Sequence, residues 1–384
     1  MSTFDVGINY WPARTGMRWW RHFSREDLAA DLRTIAGAGC GSLRVFLRWE
    51  DFQPTPDRVS PSALRDLVTV ADLAASHGLR LVPTLFTGHM SGANWLPRWA
   101  TRPGARGRFP VVCDDRYEPV VPRSWFDDEE IMGAQELLAR EAASALRGHP
   151  AVWAWDLGNE NSNVCVPATR EQARAWLSRI NDALRSADPA CHVTIGLHME
   201  DLEQDRRLGP AEAAAVCDFL CMHGYPLYAS WAKSTNDLTL PGFLAGVTRW
   251  LGGTDVFFEE FGMPTRTTEE DDTADAFIAG ALDTLYAAGT LGAMLWCFSD
   301  YAPEIWDQPP FDIAPHERFF GLWRADATPK PAVRHLARYH GVERRSVVAT
   351  PDWIDLDRTR FYEAPLENLK HLYERYSDAV AVAR

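Results

Sequence analysis

No apolar run in the chain approaches the roughly 20 residues needed to cross a bilayer, and there is no low-complexity tract. The chain does not open with a basic segment followed by an apolar one, so a cytoplasmic protein with no membrane partner is expected. The seven cysteines (Cys40, Cys113, Cys165, Cys191, Cys217, Cys221 and Cys297) form no Cys-x-x-Cys pair. Paired zinc patterns are therefore missing, and reduced, mostly buried thiols are expected. The formal charge of −14 argues against a nucleic-acid partner, whose phosphates it would repel. No Gly-x-Gly-x-x-Gly follows the first apolar run, so the doubly wound open sheet lacks its phosphate-binding signature. Neither a metal nor an organic cofactor is expected.

What is present is a globular composition, 46% hydrophobic and 24% charged, with sixteen tryptophans. Such tryptophan content suits sugar-stacking platforms, and it suits a large core equally well. Apolar, β-rich runs begin near Phe4, Ser42, Leu79, Ala151, Cys191, Cys217, Asp255 and Leu291. Most are spaced by roughly 35–40 residues, as alternating β and α units require. Helical periodicity fills the gaps. Ser24 caps one segment that closes at Gly37-Ala38-Gly39, and Ser60-Pro61 opens the next, which ends at His77-Gly78. Further helices are expected over 128–147, 169–187, 242–251, 269–288 and 331–340. The long third gap holds a Gly/Pro/Arg/Trp-rich insertion over 87–125. This reads as one (β/α)8 barrel over 1–340, with a C-terminal extension over 341–384 that packs on the barrel and carries a helix over 365–382.

Two of the apolar runs end on carboxylates. Residues 151–160 (AVWAWDLGNE) stop at Glu160, and residues 255–262 (DVFFEEFG) carry Glu259 and Glu260. Barrel enzymes keep their chemistry at the carboxyl ends of the strands. Two carboxylates converging there match the needs of glycosidic cleavage, one donating a proton and the other acting as nucleophile or base. Side chains alternate faces along a strand, so only one of Glu259 and Glu260 should face the substrate, the other pairing with a barrel arginine. Alternation also puts Arg44 with Arg48, His223 with Tyr225, and Trp296 with Met294 and Phe298. Arg44 could hold a nucleophile ionised and Tyr225 could donate to it. His223 and Asn159 could hold sugar hydroxyls, and Trp296 could floor the slot. Asp156 reads as a core residue. As one ionised carboxylate disfavours a second, Glu160 is expected to hold its proton tightly.

The chain resembles clan A of the glycoside hydrolases, most nearly family 5, over about residues 4–340. The residues that carry the likeness are Arg44 in Leu43-Arg44-Val45-Phe46, Asn159-Glu160, His223-Gly224-Tyr225, Glu260-Phe261-Gly262, Trp296, and the closing Gly321-Leu322-Trp323 with Pro329-Lys330-Pro331. The resemblance implies retention by double displacement, with Glu160 as acid and then base, and Glu260 as the nucleophile. It also implies that Asn159 contacts the 2-hydroxyl and that His89, after the third strand, contacts substrate. His198, at the end of the fifth strand, is a further candidate. Trp95, Trp99 and Trp125 lie in the insertion, where they either stack on a sugar or pin the loop; Trp95 is placed with the substrate-binding set.

The family's shared catalytic residues give mechanism and not substrate. The opening Gly7-Ile8-Asn9-Tyr10-Trp11-Pro12 and the run from Arg44 to Pro54 look most like β-mannosidase and β-mannanase sequences. With a walling insertion and an intracellular location, the expectation is an exo-β-mannosidase acting on short oligosaccharides. Endo-β-mannanase, β-glucosidase-type or transglycosylating activity is the alternative, and a catalytically inactive sugar-binding barrel is the reading from another class. Oligomeric state is not legible.

Overall fold

The computed structural model describes residues 2–347 and 350–382. Eight parallel strands close into a barrel. They are β1 (Asp5–Asn9), β2 (Ser42–Phe46), β3 (Arg80–Thr84), β4 (Ala154–Asn159), β5 (His192–His198), β6 (Leu220–His223), β7 (Val256–Phe261) and β8 (Gly292–Leu295). β1 pairs with both β2 and β8, which closes the ring. The fold is a single (β/α)8 barrel, as alternating apolar runs and helical segments predict.

The outer layer comprises α1 (Arg25–Gly37), α2 (Pro61–Ser76), α3 (Glu129–Ala145), α4 (Arg170–Ala187), the short α5 (Pro210–Ala214), α6 (Leu240–Gly252) and α7 (Thr268–Ala287). Their starts follow local chemistry. Ser24, Ser60 and Thr169 each accept a backbone N–H of the first turn, and Thr267 with Glu270 forms a reciprocal capping box. The segment expected as the last regular helix is a 3₁₀ helix, Pro331–Tyr339. Buried rings knit α4 to the loops beyond the strand ends: Trp49, Phe86, Trp125 and Trp176 touch in sequence. Each fully buried side chain of this kind contributes roughly 1.5–3 kcal/mol.

The barrel interior has two levels. Val82, Ala154, Phe219, Cys221, Phe257 and Met294 form an apolar plug separate from the helix-facing core. Toward the carboxyl ends of the strands the interior turns polar, with Asn9, Arg44, Thr84, Asp156 and Glu259 all buried. Polar groups at that depth must satisfy one another, and that requirement positions the site.

The insertion after β3 is more regular than its composition suggests. Gly88–Met90, Ala93–Trp95, Val111–Cys113 and Arg116–Glu118 form one small sheet, and Thr101–Pro103 pairs with Val120–Pro122. After the barrel, α8 (Pro365–Val382) packs Tyr373 and Tyr376 against Phe243 of α6. The cysteines are unpaired, and all but Cys165 are buried. Among the described residues no helix is long and apolar enough to cross a membrane.

Candidate active site

A cavity of about 400 Å³ opens at the carboxyl ends of the strands. Its walls come from the loops after β3, β4, β5, β6 and β8, with Glu260 at the base. None comes from the loops after β1 and β2. That quarter is covered by the insertion, where Asp115 accepts from Arg48 at 2.7 Å and from Arg21 at 2.7 Å.

Glu160 directly follows β4 in a left-handed backbone conformation (φ 49°), which costs an L-residue energy and persists where surrounding contacts fix it. Its backbone N–H donates to Gly196 O at 3.0 Å. Its carboxylate meets His223 Nδ1 at 3.1 Å and accepts from Asn163 Nδ2 at 3.1 Å. His198 Nδ1 and His89 Nε2 lie 3.9 and 4.0 Å away.

Glu260 sits in the strand β7 and is held from behind. Arg44 Nη1 donates to it at 2.6 Å and the Tyr225 hydroxyl at 2.9 Å. Arg44 is fully buried and spends its remaining donors on Asp156 (2.6 Å), Asn159 (2.9 Å), Thr84 (2.9 Å) and Asn9 (3.2 Å). One oxygen of Glu160, one of Glu260 and a ring nitrogen of His223 lie within 4.8 Å of one another. Such spacing could suit a metal, but the Arg44 guanidinium on Glu260 would repel a cation, and both His223 nitrogens already face carboxylates. The site is built to handle protons.

Strict alternation predicts that Glu259 and Glu260 point to opposite faces; the structure departs from this. The β6–β7 pairing shifts register between Met222 and His223, and the β7–β8 pairing shifts between Phe258 and Phe261. Such irregularities re-aim side chains. Glu259 therefore turns inward beneath the cavity, 3.3 Å from Arg44 and 3.2 Å from His223 Nε2. The expected ion pair with a barrel arginine is present, but it lies inside the barrel.

Four carboxylates (Asp156, Glu160, Glu259, Glu260) thus share two cations, Arg44 and His223, so full ionisation would leave two uncompensated charges. Burial and the charge of Glu160 push Glu260 upward against the pull of His223 and Arg44. Burial likewise raises Asp156. Glu160 moves the other way: burial raises it, but the charge of His198, the hydrogen bond from His223 and the charge of His89 override burial and hold it well below the ordinary range. His223 is pushed up to about 10, because Glu260, Glu160 and Glu259 outweigh the cost of its burial. Burial lowers His89. The expectation that Glu160 holds its proton tightly is not met: the surrounding imidazoles lower Glu160, and His223, facing it, is raised.

Asn159, Glu160, His89, His198, His223, Tyr225, Glu260 and Trp296 converge on the cavity. Arg44 lies behind it and reaches it only through Glu260 and Asn159. Trp95 lies elsewhere. It is 1% exposed, its indole donates to Met90 O at 3.2 Å, and the Arg18 and Arg48 guanidinium groups lie over its ring. Trp99 and Trp125 pack on Trp49. These indoles pin the loop. Sequence reasoning missed Asn163, Tyr228 and Glu317. Asn163 stands one short turn past Glu160, a spacing that could have flagged it. Tyr228 and Glu317 lie in loops whose course no local pattern fixes.

No family model matches the chain. It is 26% identical over 282 residues to the putative mannan endo-1,4-beta-mannosidase 5 of Oryza sativa subsp. japonica, covering 65% of this chain and 56% of that protein. With mannan endo-1,4-beta-mannosidase F of Aspergillus clavatus it shares 24% over 260 residues, covering 61% and 51%. The chain thus spans a little over half the length of these curated relatives. Among solved structures, the exo-beta-1,4-mannosidase Op5Man5 of Opitutaceae bacterium strain TAV5 superposes with a TM-score of 0.75 at 25% identity, covering 88% of this chain and 59% of that one. A GH5_18 protein of Bifidobacterium longum subsp. longum superposes at 0.80 with 20% identity, covering 98% and 90%. The resemblance to clan A glycoside hydrolases of family 5 holds. Within that clan likeness, a GH5_18 variant from Streptomyces cattleya solved with Manβ1-4GlcNAc shares the fold at a TM-score of 0.75 and 24% identity, covering 88% and 80%.

Proposed function

We propose that this protein is a retaining exo-β-mannosidase that releases terminal mannose from short β-linked oligosaccharides, including mannose β1-4-linked to N-acetylglucosamine. The observation that carries the reading is the carboxylate pair. Oxygens of Glu160 and Glu260 approach within 4.8 Å, nearer the roughly 5–5.5 Å spacing of retaining enzymes than the roughly 6.5–9.5 Å that leaves room for an inverting water. Glu260, backed by Arg44 and Tyr225, attacks the anomeric carbon. Glu160 protonates the departing oxygen and later deprotonates the water that frees the sugar. Asn159 holds the 2-hydroxyl, where contacts strengthen in the transition state. The covered β1–β2 quarter supports removal of single sugars. The relatives named as mannan endo-mannosidases and the exo-mannosidase neighbour both support a mannoside.

A panel of p-nitrophenyl β-glycosides, followed by manno-oligosaccharides and mannan, tests this. Turnover of the β-mannoside and release of mannose from the non-reducing end are expected, with β-mannose as the first product by NMR. Rapid loss of mannan viscosity with mixed products would replace the exo reading by endo-mannanase. Turnover of β-glucoside alone would discard the sugar, and α-mannose as first product would discard retention.

A further inference from the structure

On the covered side of the cavity stands a carboxylate that the mechanism does not use. Glu317, in the turn Pro315–Phe319 after β8, lines the cavity and is 7% exposed. Its Oε2 accepts from Ser91 Oγ at 3.0 Å and its Oε1 from the Tyr228 hydroxyl at 2.9 Å. Ser91 belongs to the loop after β3 and Tyr228 to the loop after β6. Around the barrel β8 and β3 flank β1 and β2, so the Ser91–Glu317 bond spans the covered quarter and ends the cavity there.

Among the described residues no Arg or Lys pairs with Glu317. The one described imidazole within ion-pair reach of it is the half-buried His316, 3.4 Å away. A nearly buried carboxylate without a strong counter-ion is costly. A carboxylate has about four acceptor positions, and two neutral hydroxyls fill two of them. Two remain for a guest in the cavity. Of the aromatic rings beside it, Tyr225 touches both Tyr228 and Phe320, so the surroundings suit a sugar ring and not a cation.

We infer that Glu317 is a substrate-binding and chain-end-reading residue: it accepts hydrogen bonds from the 4-hydroxyl of the terminal sugar and from one adjacent hydroxyl. This rests on the exo-mannosidase reading and deepens it. The reacting carbon faces Glu260, so the ring edge furthest from it meets the end wall, and both hydroxyl pairs on that edge include the 4-hydroxyl. In a 1,4-linked chain that oxygen carries a proton only at the non-reducing end. An acceptor at the end wall therefore distinguishes a terminal sugar from an internal one by chemistry as well as by space. A site built to bond a hydroxyl also rejects an analogue lacking it, because its own buried group is left unpaired.

The test is a substrate–enzyme cycle. kcat/KM is measured for p-nitrophenyl β-mannoside and its 4-deoxy analogue, with wild type, Glu317→Gln and Ser91→Ala. Wild type should lose roughly 10–100-fold on the 4-deoxy substrate, as for a hydrogen bond to a charged group. Glu317→Gln should lose a similar factor on the parent substrate, and its 4-deoxy penalty should shrink to within about threefold. Ser91→Ala removes the loop bond but keeps the carboxylate, so the penalty should persist. A 4-O-methyl mannoside should be a poor wild-type substrate. A 4-deoxy penalty in Glu317→Gln as large as in wild type would overturn the proposal, as would its disappearance in Ser91→Ala, which would make Glu317 a loop latch. Should the enzyme prefer a β-glucoside, the same cycle is read with the 4-deoxyglucoside. In that case the sugar assignment fails and the role of Glu317 is judged separately.

Discussion

Glu260 and Glu160 nearly touch, yet they belong to two regions of different character. Behind Glu260 the charged partners are strand-borne and buried: Arg44 on β2, Asp156 on β4, Glu259 beside it on β7. Arg44 carries a charge at every accessible pH, held high by Glu259, Asp156 and Glu260 despite its burial. Around Glu160 the partners are titratable imidazoles and an amide facing the cavity: His89, His198, His223 and Asn163. In the inner region Arg44, His223 and the Tyr225 hydroxyl favour the ionised Glu260 against burial and the charge of Glu160; at the rim His89, His198 and His223 favour the ionised Glu160 over burial. On the proposed mechanism the first set supports a nucleophile and the second a group that exchanges its proton.

The largest expected effect removes the inner partner. Glu260→Ala should lose activity on all substrates, on the order of 10⁵–10⁶-fold, as deletion of a covalent nucleophile does. Glu160→Ala should lose roughly 10²–10⁴-fold on poor leaving groups and far less on dinitrophenyl mannoside, and added azide should restore turnover as β-mannosyl azide. Equal losses for Glu160→Ala across leaving groups would erase the distinction between the two regions.

The second effect concerns the proton at the border of the two regions. His223 Nε2 faces Glu259 and Nδ1 faces Glu160, so Glu259 fixes one ring proton and leaves the other to be shared with Glu160. The alkaline limb of kcat/KM should follow loss of that shared proton, which the surrounding carboxylates retain up to about pH 10. Glu259→Gln removes one of the charges that raise His223, so the alkaline limb should move to lower pH; Glu160→Gln should flatten it. Stability follows the same sign. A histidine raised on folding contributes fully below its unfolded value of about 6.5 and loses that contribution as pH rises toward its folded value. Thermal melting should therefore fall between pH 7 and 10, and this fall should be smaller in Glu259→Gln. An unmoved alkaline limb would assign it to another group.

The sequence made the barrel legible because its signals are local: apolar runs, capping serines and spacing. The pair Glu160 and Glu260 was legible for the same reason, each ending an apolar run. Two things were not. The inward turn of Glu259 depends on register shifts between neighbouring strands, which no single strand encodes. The position of Glu317 depends on where three loops meet. The same limit explains Trp95: its place in the insertion was visible, but its burial under two guanidinium groups was not, since Arg18 and Arg48 come from other loops.

Trp95 and Arg108 extend the comparison from the two carboxylates to their supports, with smaller effects. Trp95→Ala empties a buried site and should cost roughly 3–5 kcal/mol of stability, by analogy with other buried aromatic truncations. Well below its melting temperature, the variant's KM for p-nitrophenyl β-mannoside should stay within about threefold of wild type, since the ring does not line the cavity. A raised KM with unchanged melting would return Trp95 to the slot.

Arg108 should give the smallest effect. It lines the open side of the cavity and pairs with Glu200 across the mouth, joining the loops after β3 and β5. The arginine is 56% exposed, so water and salt screen the pair, and such pairs contribute roughly 0–1 kcal/mol. Glu200 also pairs with the buried Arg206, so removing Arg108 leaves no orphaned charge. Arg108→Ala should shift melting only slightly and change kcat/KM for mannobiose by a few-fold. That change should diminish in 0.5 M NaCl, because screening already weakens the pair in wild type. A loss near 100-fold, insensitive to salt, would mean that the rim is as rigidly built as the interior and would break the division between the two regions.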